Sequence, residues 1–377
     1  MTAPGTTVRL KRRHARGTSL PRHTEARLLG IGTAVPALSL PQSFAESRLA
    51  ELLNLCGAAR GRWRRIIAGS GIEKRHAVAP MEAVLRMSTA ARMSLYEAHA
   101  PGLGEATARR ALEVAGIEPP MVTDLIVVSC TGFSAPGLDT DLVRRLGLGP
   151  TTRRTLIGYM GCFGGIVGLR QAAAIAQASS PHIRPAGAVV LVVCVELCSL
   201  HLRDDAGGDN LVASALFADG AAAAVVASST SPHAGDGGLG AMSPGSSLLI
   251  DEGREWMSWR ITDAGFAMTL AKQVPDALRR CLASFVRDAA ASDGAAPRAF
   301  AVHPGGPGIL DAVDHALALH GQRGLPAARQ VLRNFGNMSS GTVLWVLEEA
   351  LKRRCARPIM LLAFGPGLSV EAITLSA

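Results

Sequence analysis

The sequence predicts a layered α/β protein built from two similar halves, and three observations carry that expectation. Short, fully apolar, β-branched runs recur along the chain, each bounded by Gly, Pro or Asp; such runs suit strands buried on both faces. Longer Ala/Leu/Arg-rich stretches with helical spacing separate them, the alternation expected of stacked helices and sheets. The second half also repeats the first in outline. A strand at Asp124-Leu-Ile-Val-Val-Ser-Cys130 is followed 32 residues later by a Gly-Cys turn at Cys162, which opens a helix over Ile166 to Ala178. A strand at Phe300-Ala-Val-His303 is followed 34 residues later by a Gly-Asn turn at Asn337, which opens a helix over Thr342 to Lys352. Another apolar strand follows each helix, near Val189 and near Ile359.

Taken in order, the first strand is Leu28-Leu-Gly-Ile-Gly32. Its two glycines lack the third glycine of a dinucleotide fingerprint, and no acidic partner follows a second strand, so a nucleotide-cofactor reading is rejected. Further strands are expected at Leu125 to Cys130, Val189 to Glu196, Ala221 to Ala227, Ala299 to His303 and Ile359 to Phe364. Cys194 and Cys198 are expected on one face of one strand, as packed thiols. Residues 230 to 250, rich in Gly, Ser and Pro, read as the connection between halves. The expected organisation is a basic extension over residues 1–26, one half over 27–233 carrying the cysteine turn, and another over 234–377 carrying His303 and Asn337.

The 377 residues are 48% hydrophobic and 18% charged, enough to bury a large core. Seven cysteines, odd in number and widely spaced, with no secretory-signal pattern, point to reduced thiols in a cytoplasmic protein. The net charge of +9 is concentrated at the start, where residues 1–27 hold seven Lys or Arg against one acid. With aromatics at only 4%, the chain offers no stacking platform for a nucleic acid, and none is expected as partner. No uninterrupted apolar run reaches about 18 residues, so no membrane span is expected. No P-loop and no paired Cys-x-x-Cys metal framework occurs, and neither cofactor nor metal is expected.

The run Gly158-Tyr-Met-Gly-Cys162-Phe-Gly-Gly165 sets a small nucleophile at a strand-to-helix turn, where backbone amides and the helix end can stabilise a thiolate. The same turn could hold a packed structural thiol. A thiolate needs a nearby cation, and His303, in Val-His303-Pro-Gly-Gly-Pro-Gly, stands at a strand end before a sharply turned loop. Asn337, in Gly336-Asn-Met-Ser-Ser-Gly341, is either a helix cap or a side-chain donor. Together, Cys, His and Asn form a constellation in which the cysteine takes an acyl group from a thioester while His and Asn donate to a thioester oxygen.

Four strings, GYMGCFGG, VHPGG, GNMSSGTVLWVLEE and FGPGLSVE, resemble the type III polyketide synthases, the chalcone synthase-like enzymes, with features of their bacterial members. The resemblance runs from about Leu28 to the C-terminus. It implies the thiolase fold of class α/β, five layers αβαβα in two pseudo-duplicated halves, and a homodimer. It implies that Cys162 is the acylated nucleophile and that His303 and Asn337 hold the thioester oxygen during malonyl decarboxylation. Phe217 matches a gatekeeper phenylalanine, whereas a second gatekeeper position falls on Met268, a more flexible residue. Cavity-lining positions fall on Cys198, His201 and Ser339, with Gly132 and Phe133 beside them. Arg62 and Arg65 match residues that bind coenzyme A phosphates, a third such position falls on Gly69, and Arg64 or Lys74 are candidates to compensate.

The implied activity is iterative decarboxylative condensation of malonyl-CoA onto a starter acyl-CoA held on Cys162, without a carrier protein. Cyclisation then gives a resorcinol-, phloroglucinol- or naphthalene-like aromatic, or a pyrone. Cys162 is expected to react as a thiolate paired with protonated His303. The alternatives are a ketoacyl synthase III-like enzyme that performs one condensation and, more remotely, a non-catalytic binding protein on the same fold.

Overall fold

A computed structural model describes residues 24–178, 187–233, 238–318 and 324–377, so nearly all of the basic extension lies outside the described residues. The strands are β1 (Ala26–Ala34), β2 (Leu38–Pro41), β3 (Lys74–Ala77), β4 (Asp124–Ser129), β5 (Arg153–Gly158), β6 (Val189–Leu197), β7 (Asp219–Ser228), β8 (Gly240–Met242), β9 (Ser246–Leu249), β10 (Met257–Thr262), β11 (Gly265–Leu270), β12 (Ala299–Val302), β13 (Ile359–Gly365) and β14 (Ser369–Leu375). The chain adopts the mixed α/β thiolase fold, and every apolar run expected as a strand is one.

The duplication is visible in the pairing. In the first half β4 runs parallel to β6, β6 antiparallel to β7, and β7 antiparallel to β1. In the second, β12 runs parallel to β13, β13 antiparallel to β14, and β14 antiparallel to β8. The halves join where Met242 of β8 lies opposite both Ala26 of β1 and Leu375 of β14. Residues 230–250 are therefore more than a connection: part of that stretch folds as β8 and β9 and closes the sheet between the halves. All three residues of β8 pair with β1, and Met242 alone also pairs with β14.

Every residue of β6 and β7 is buried, as their near-continuous apolar character requires. Val190, Val192 and Cys194 face one core, while Leu191, Val193 and Val195 face the other. The outer layer of the first half is the long helix Thr89–Ala115, ended by Gly116 in the left-handed region. Gly30 and Gly32 serve this contact: a β-carbon on Gly32 would fall 2.2 Å from the Thr107 carbonyl oxygen. On the other half the helices Val274–Asp293 and Pro307–Ala318 pack on each other and share a core with β12 and β13. Between them lie two inner helices, Gly164–Gln177 and Thr342–Lys352, both packed on β7. Cys194 is in β6 and fully buried, but Cys198 is not on that strand: β6 stops at Leu197, and Cys198 opens a tight 3₁₀ turn to His201.

Candidate active site

The nucleophile turn begins where β5 ends. Tyr159 and Gly161 take positive φ values of 57° and 75°, and the 3₁₀ turn Gly161–Phe163 leads into the inner helix Gly164–Gln177. Glycine is required at 161, because a β-carbon there would meet Pro366 Cδ at 2.4 Å. The Phe364-Gly365-Pro366 segment thus closes directly over Cys162, with Gly365 against the Phe163 ring. The second turn is built alike. Gly336, at φ 73°, precedes Asn337, and the 3₁₀ turn Ser339–Gly341 leads into the inner helix Thr342–Lys352. His303 follows β12, its backbone amide held by the Leu362 carbonyl of β13 at 2.7 Å.

These turns bring Cys162, His303 and Asn337 to one cavity, whose wall also includes Cys198, Phe217, Met268 and Ser339. The Ser339 amide donates to Asn337 Oδ1 at 2.9 Å, which fixes the orientation of the side-chain amide. Its Nδ2 turns toward the nucleophile and makes a long contact to Cys162 Sγ at 4.0 Å. His303 is 1% exposed, and neither ring nitrogen has a protein partner. A buried, unsatisfied imidazole in a native fold calls for a ligand or a catalytic role.

Burial pushes the Cys162 thiol up to about 12 and the His303 imidazole down to about 3. Burial thus favours the neutral form of both groups, against the thiolate–imidazolium pair expected from sequence, while the hydrogen bonds from Ser339 and Asn337 favour the thiolate.

A second cavity adjoins the first and shares Cys198, Phe217, Trp259 and Met268 with it. His201 faces this neighbour. Its Nδ1 accepts from the Phe266 amide at 3.1 Å, so Nε2 carries the proton and donates to the Thr131 carbonyl at 2.7 Å. The ring stacks on Phe266 at 3.9 Å and meets the edge of Trp259 at 5.5 Å. Desolvation pushes it down to about 4.

Gly132 and Phe133 do not line the catalytic cavity. Gly132 backs onto Tyr96, where a β-carbon would lie 2.1 Å from the ring, and the exposed Phe133 packs on Tyr159 and Phe266. Cys130 and Thr131 line it instead.

Sequence reasoning also passed over Trp259 and Glu196. Trp259 lies opposite Met268 in the β10–β11 hairpin, so the register of that hairpin was the signal that could have found it, and its Nε1 donates to the Cys130 carbonyl at 2.8 Å. Glu196 is fully buried; it accepts from the Cys130 amide at 3.0 Å, Thr131 Oγ1 at 2.8 Å and Ser340 Oγ at 2.5 Å, and burial raises its carboxyl.

Arg62 and Arg65 lie exposed on the helix Gly57–Gly69. Arg65 faces a surface cleft with Gly69, Lys272 and the Gly305–Ile309 loop, and that cleft shares Leu270, Gly305 and Ile309 with the catalytic cavity. Arg62 is not part of its wall, and Arg64 lies 3.8 Å from Glu46, outside the cleft. Lys272 was not anticipated; it supplies a second cation where Gly69 supplies none. Among the described residues no helix is long and apolar enough to cross a membrane.

Family models for the chalcone and stilbene synthases match this chain twice, the N-terminal domain at residues 14–230 and the C-terminal domain at residues 244–377. A 1,3,6,8-tetrahydroxynaphthalene synthase of Streptomyces peucetius subsp. caesius is 34% identical over 372 residues, covering 94% of this chain and 95% of that protein. Among solved structures, PKS-I of the brown alga Ectocarpus siliculosus superposes with a TM-score of 0.86 at 26% identity, over 94% of this chain and 99% of that one. The C-terminal type III polyketide synthase domain of Steely1, a type I/III hybrid from Dictyostelium, superposes with a TM-score of 0.83 at 26% identity, over 93% and 99%.

Proposed function

The chain belongs to the chalcone and stilbene synthase family and is a type III polyketide synthase, and from that premise we propose that Cys162, His303 and Asn337 run its condensation cycle. The observation that carries this reading is the meeting of the three side chains in one cavity, with Asn337 Nδ2 turned toward Cys162 Sγ and the His303 ring unpartnered among the described residues.

With burial drawing thiol and imidazole toward their neutral forms, His303 takes the Cys162 proton as sulfur attacks the starter thioester, and passes it to the departing coenzyme A sulfur. Malonyl-CoA then places its thioester oxygen against Asn337 Nδ2 and a ring N–H of His303. Both donors stabilise the enolate formed when CO2 leaves; the enolate carbon attacks the acyl group on Cys162 and expels the cysteine sulfur, leaving the extended chain on coenzyme A, from which the freed Cys162 takes it back for the next round. A neutral imidazole retains one N–H for this purpose, which suits the depressed value at His303.

Arg65 and Lys272 are positioned to hold coenzyme A phosphates at the cleft, with Arg62 further out on the same helix. Phe217 and Met268 then flank the passage inward, and Cys198 and Ser339 bound the space for the growing chain. His201 shapes the neighbouring cavity through its stack on Phe266. The matched strand pairing of the two halves supports a division at 27–233 and 234–377. No carrier protein and no cofactor enter this cycle. Seven free thiols suit a cytoplasmic enzyme.

The product class we propose is naphthalene-like, assembled from malonyl-derived units, as the name of the Streptomyces relative suggests. We also propose a homodimer built on the β5 edge. Among the described residues this strand ends the sheet and pairs only with β4, and it exposes Leu156, with Tyr159 and Met160 exposed just beyond it and Phe133 exposed against Tyr159. Incubation with malonyl-CoA alone, and with a panel of acyl-CoA starters, followed by mass spectrometry, tests the reading. Multiply extended products are expected; a single extension, or none with any starter, overturns it.

A further inference from the structure

Arg75 stands in the run Lys74-Arg-His-Ala77, which reads as surface charge, yet only 8% of it is exposed. Its Nε donates to Gln42 Oε1 at 2.9 Å, and its Nη1 donates to the carbonyls of Ser214 and Phe217, each at 2.7 Å. Gln42, itself buried, donates from Nε2 to the Ala215 carbonyl at 2.9 Å. These carbonyls end the helix Gly208–Leu216 and the residue after it, where a helix leaves carbonyls without partners and presents its negative end.

The Leu216 carbonyl of that same end is taken by the backbone amide of Asn337 at 2.9 Å, and the Ala218 amide returns the bond to the Asn337 carbonyl at 2.9 Å. Phe217 and Asn337 thus form an isolated parallel bridge. The stem of Arg75 fills the space beside the preceding turn: a β-carbon on Gly336 would lie 2.9 Å from Arg75 Cγ. Burial lowers the guanidinium to about 10, so it remains cationic at neutral pH.

We infer that Arg75, with Gln42, is a positioning residue that locks the end of the Gly208–Leu216 helix to the Asn337 turn, and so sets the Asn337 donor and the Phe217 ring in register. This rests on the role given above to Asn337. The guanidinium reaches both the last turn of the helix, at Ser214, and Phe217 with one nitrogen while holding Gln42 with another, a fork that lysine cannot reproduce. Displacement of a reacting group by about 1 Å can cost roughly 10²-fold in rate, so a loosened bridge has a kinetic signature beyond lost stability.

The test uses the full chain with Arg75→Gln, Arg75→Lys and Gln42→Ala, the last leaving the guanidinium in place. Malonyl-CoA decarboxylation is measured as kcat and KM per folded molecule, the folded fraction being read from near-UV circular dichroism and the melting transition. The expected result is a fall in kcat of about tenfold in Arg75→Gln, less in Arg75→Lys and about threefold in Gln42→Ala, with KM within about twofold of native. A purely structural role would lower the melting temperature and leave kcat per folded molecule unchanged. Native kcat per folded molecule in Arg75→Lys and Gln42→Ala overturns the inference, and those two variants decide it if Arg75→Gln does not fold. Should Asn337→Asp also decarboxylate at the native rate, the reading of the site itself fails; should Asn337→Asp be inactive while these variants are native, only the Arg75 inference fails.

Discussion

Asn337→Asp is the most searching perturbation of the site, because it changes one donor and almost nothing else. The side chain keeps its shape, and its Oδ1 still accepts the Ser339 amide now 2.9 Å away. What changes is the other end, the Nδ2 that lies 4.0 Å from Cys162 Sγ, which becomes a second carboxylate oxygen. A donor aimed at the developing enolate oxygen is thereby replaced by an acceptor. Loss of one such donor costs about 10²–10³ in rate, roughly 3–4 kcal/mol, and the carboxylate adds repulsion, so decarboxylation should fall by at least about 10³ at pH 8. Position 337 is 1% exposed, which raises the pKa of a carboxyl placed there. Once protonated, that carboxyl donates again. The variant should therefore regain activity, relative to native, as pH falls from 8 to 5. The assay is conversion of malonyl-CoA to acetyl-CoA, followed chromatographically at several pH values. A variant within about threefold of native at pH 8 would refute the assignment of Asn337 as an enolate donor.

Three further outcomes follow from the same geometry. Cys162→Ala should abolish condensation while decarboxylation of malonyl-CoA persists, since both donors to the thioester oxygen remain; loss of both activities in a folded protein contradicts the division of roles. Met268→Phe should shift products toward shorter chains, because a rigid ring opposite Trp259 narrows the wall shared by the two cavities; an unchanged product profile refutes it. His201 titrates at about 4 in the folded chain against about 6.5 unfolded, so the unfolded state binds the extra proton and stability is lost as pH falls through that window. Relative to native, His201→Asn should therefore gain about 2 kcal/mol between pH 7 and pH 5 in denaturant unfolding, and an unchanged difference between the two proteins refutes the buried neutral state.

The sheet and the two turns were legible because their causes are local. An all-apolar run such as Val189–Leu197 has few alternatives to a doubly buried strand, and glycines at 161 and 336 mark backbone conformations that a side chain would obstruct. The rest of the site depends on partners distant in sequence. Arg75 sits among charged residues and reads as solvated; only the carbonyls of Ser214 and Phe217 make it a buried anchor. Trp259 lies in a hairpin whose pattern suits a half-exposed ribbon, and what brings it to the cavity is its register against Met268. Gly132 was misplaced for a related reason: which residues of the loop after β4 meet the cavity is set by distant packing, and these are Cys130 and Thr131, whereas Gly132 backs onto Tyr96. The pull of burial toward neutral forms at Cys162 and His303 was beyond sequence altogether, since it depends on how much water the fold removes from them.

Duplication by itself would place two equivalent helix beginnings near one another without making a catalyst. What brings them into contact here is the absence of a side chain at Gly165, where a β-carbon would sit 2.3 Å from the Ser340 carbonyl oxygen. The inner helix of the first half thus abuts the 3₁₀ turn of the second, and the residues just ahead of each helix, Cys162 and Asn337, converge. Glu196 ties the same junction from below, bonding Cys130 and Thr131 in one half and Ser340 in the other. Its charge also disfavours a resting thiolate at Cys162, beyond the effect of burial. The junction that assembles the site therefore also raises the Cys162 thiol, and in the cycle proposed above His303 accepts its proton as the S–C bond forms.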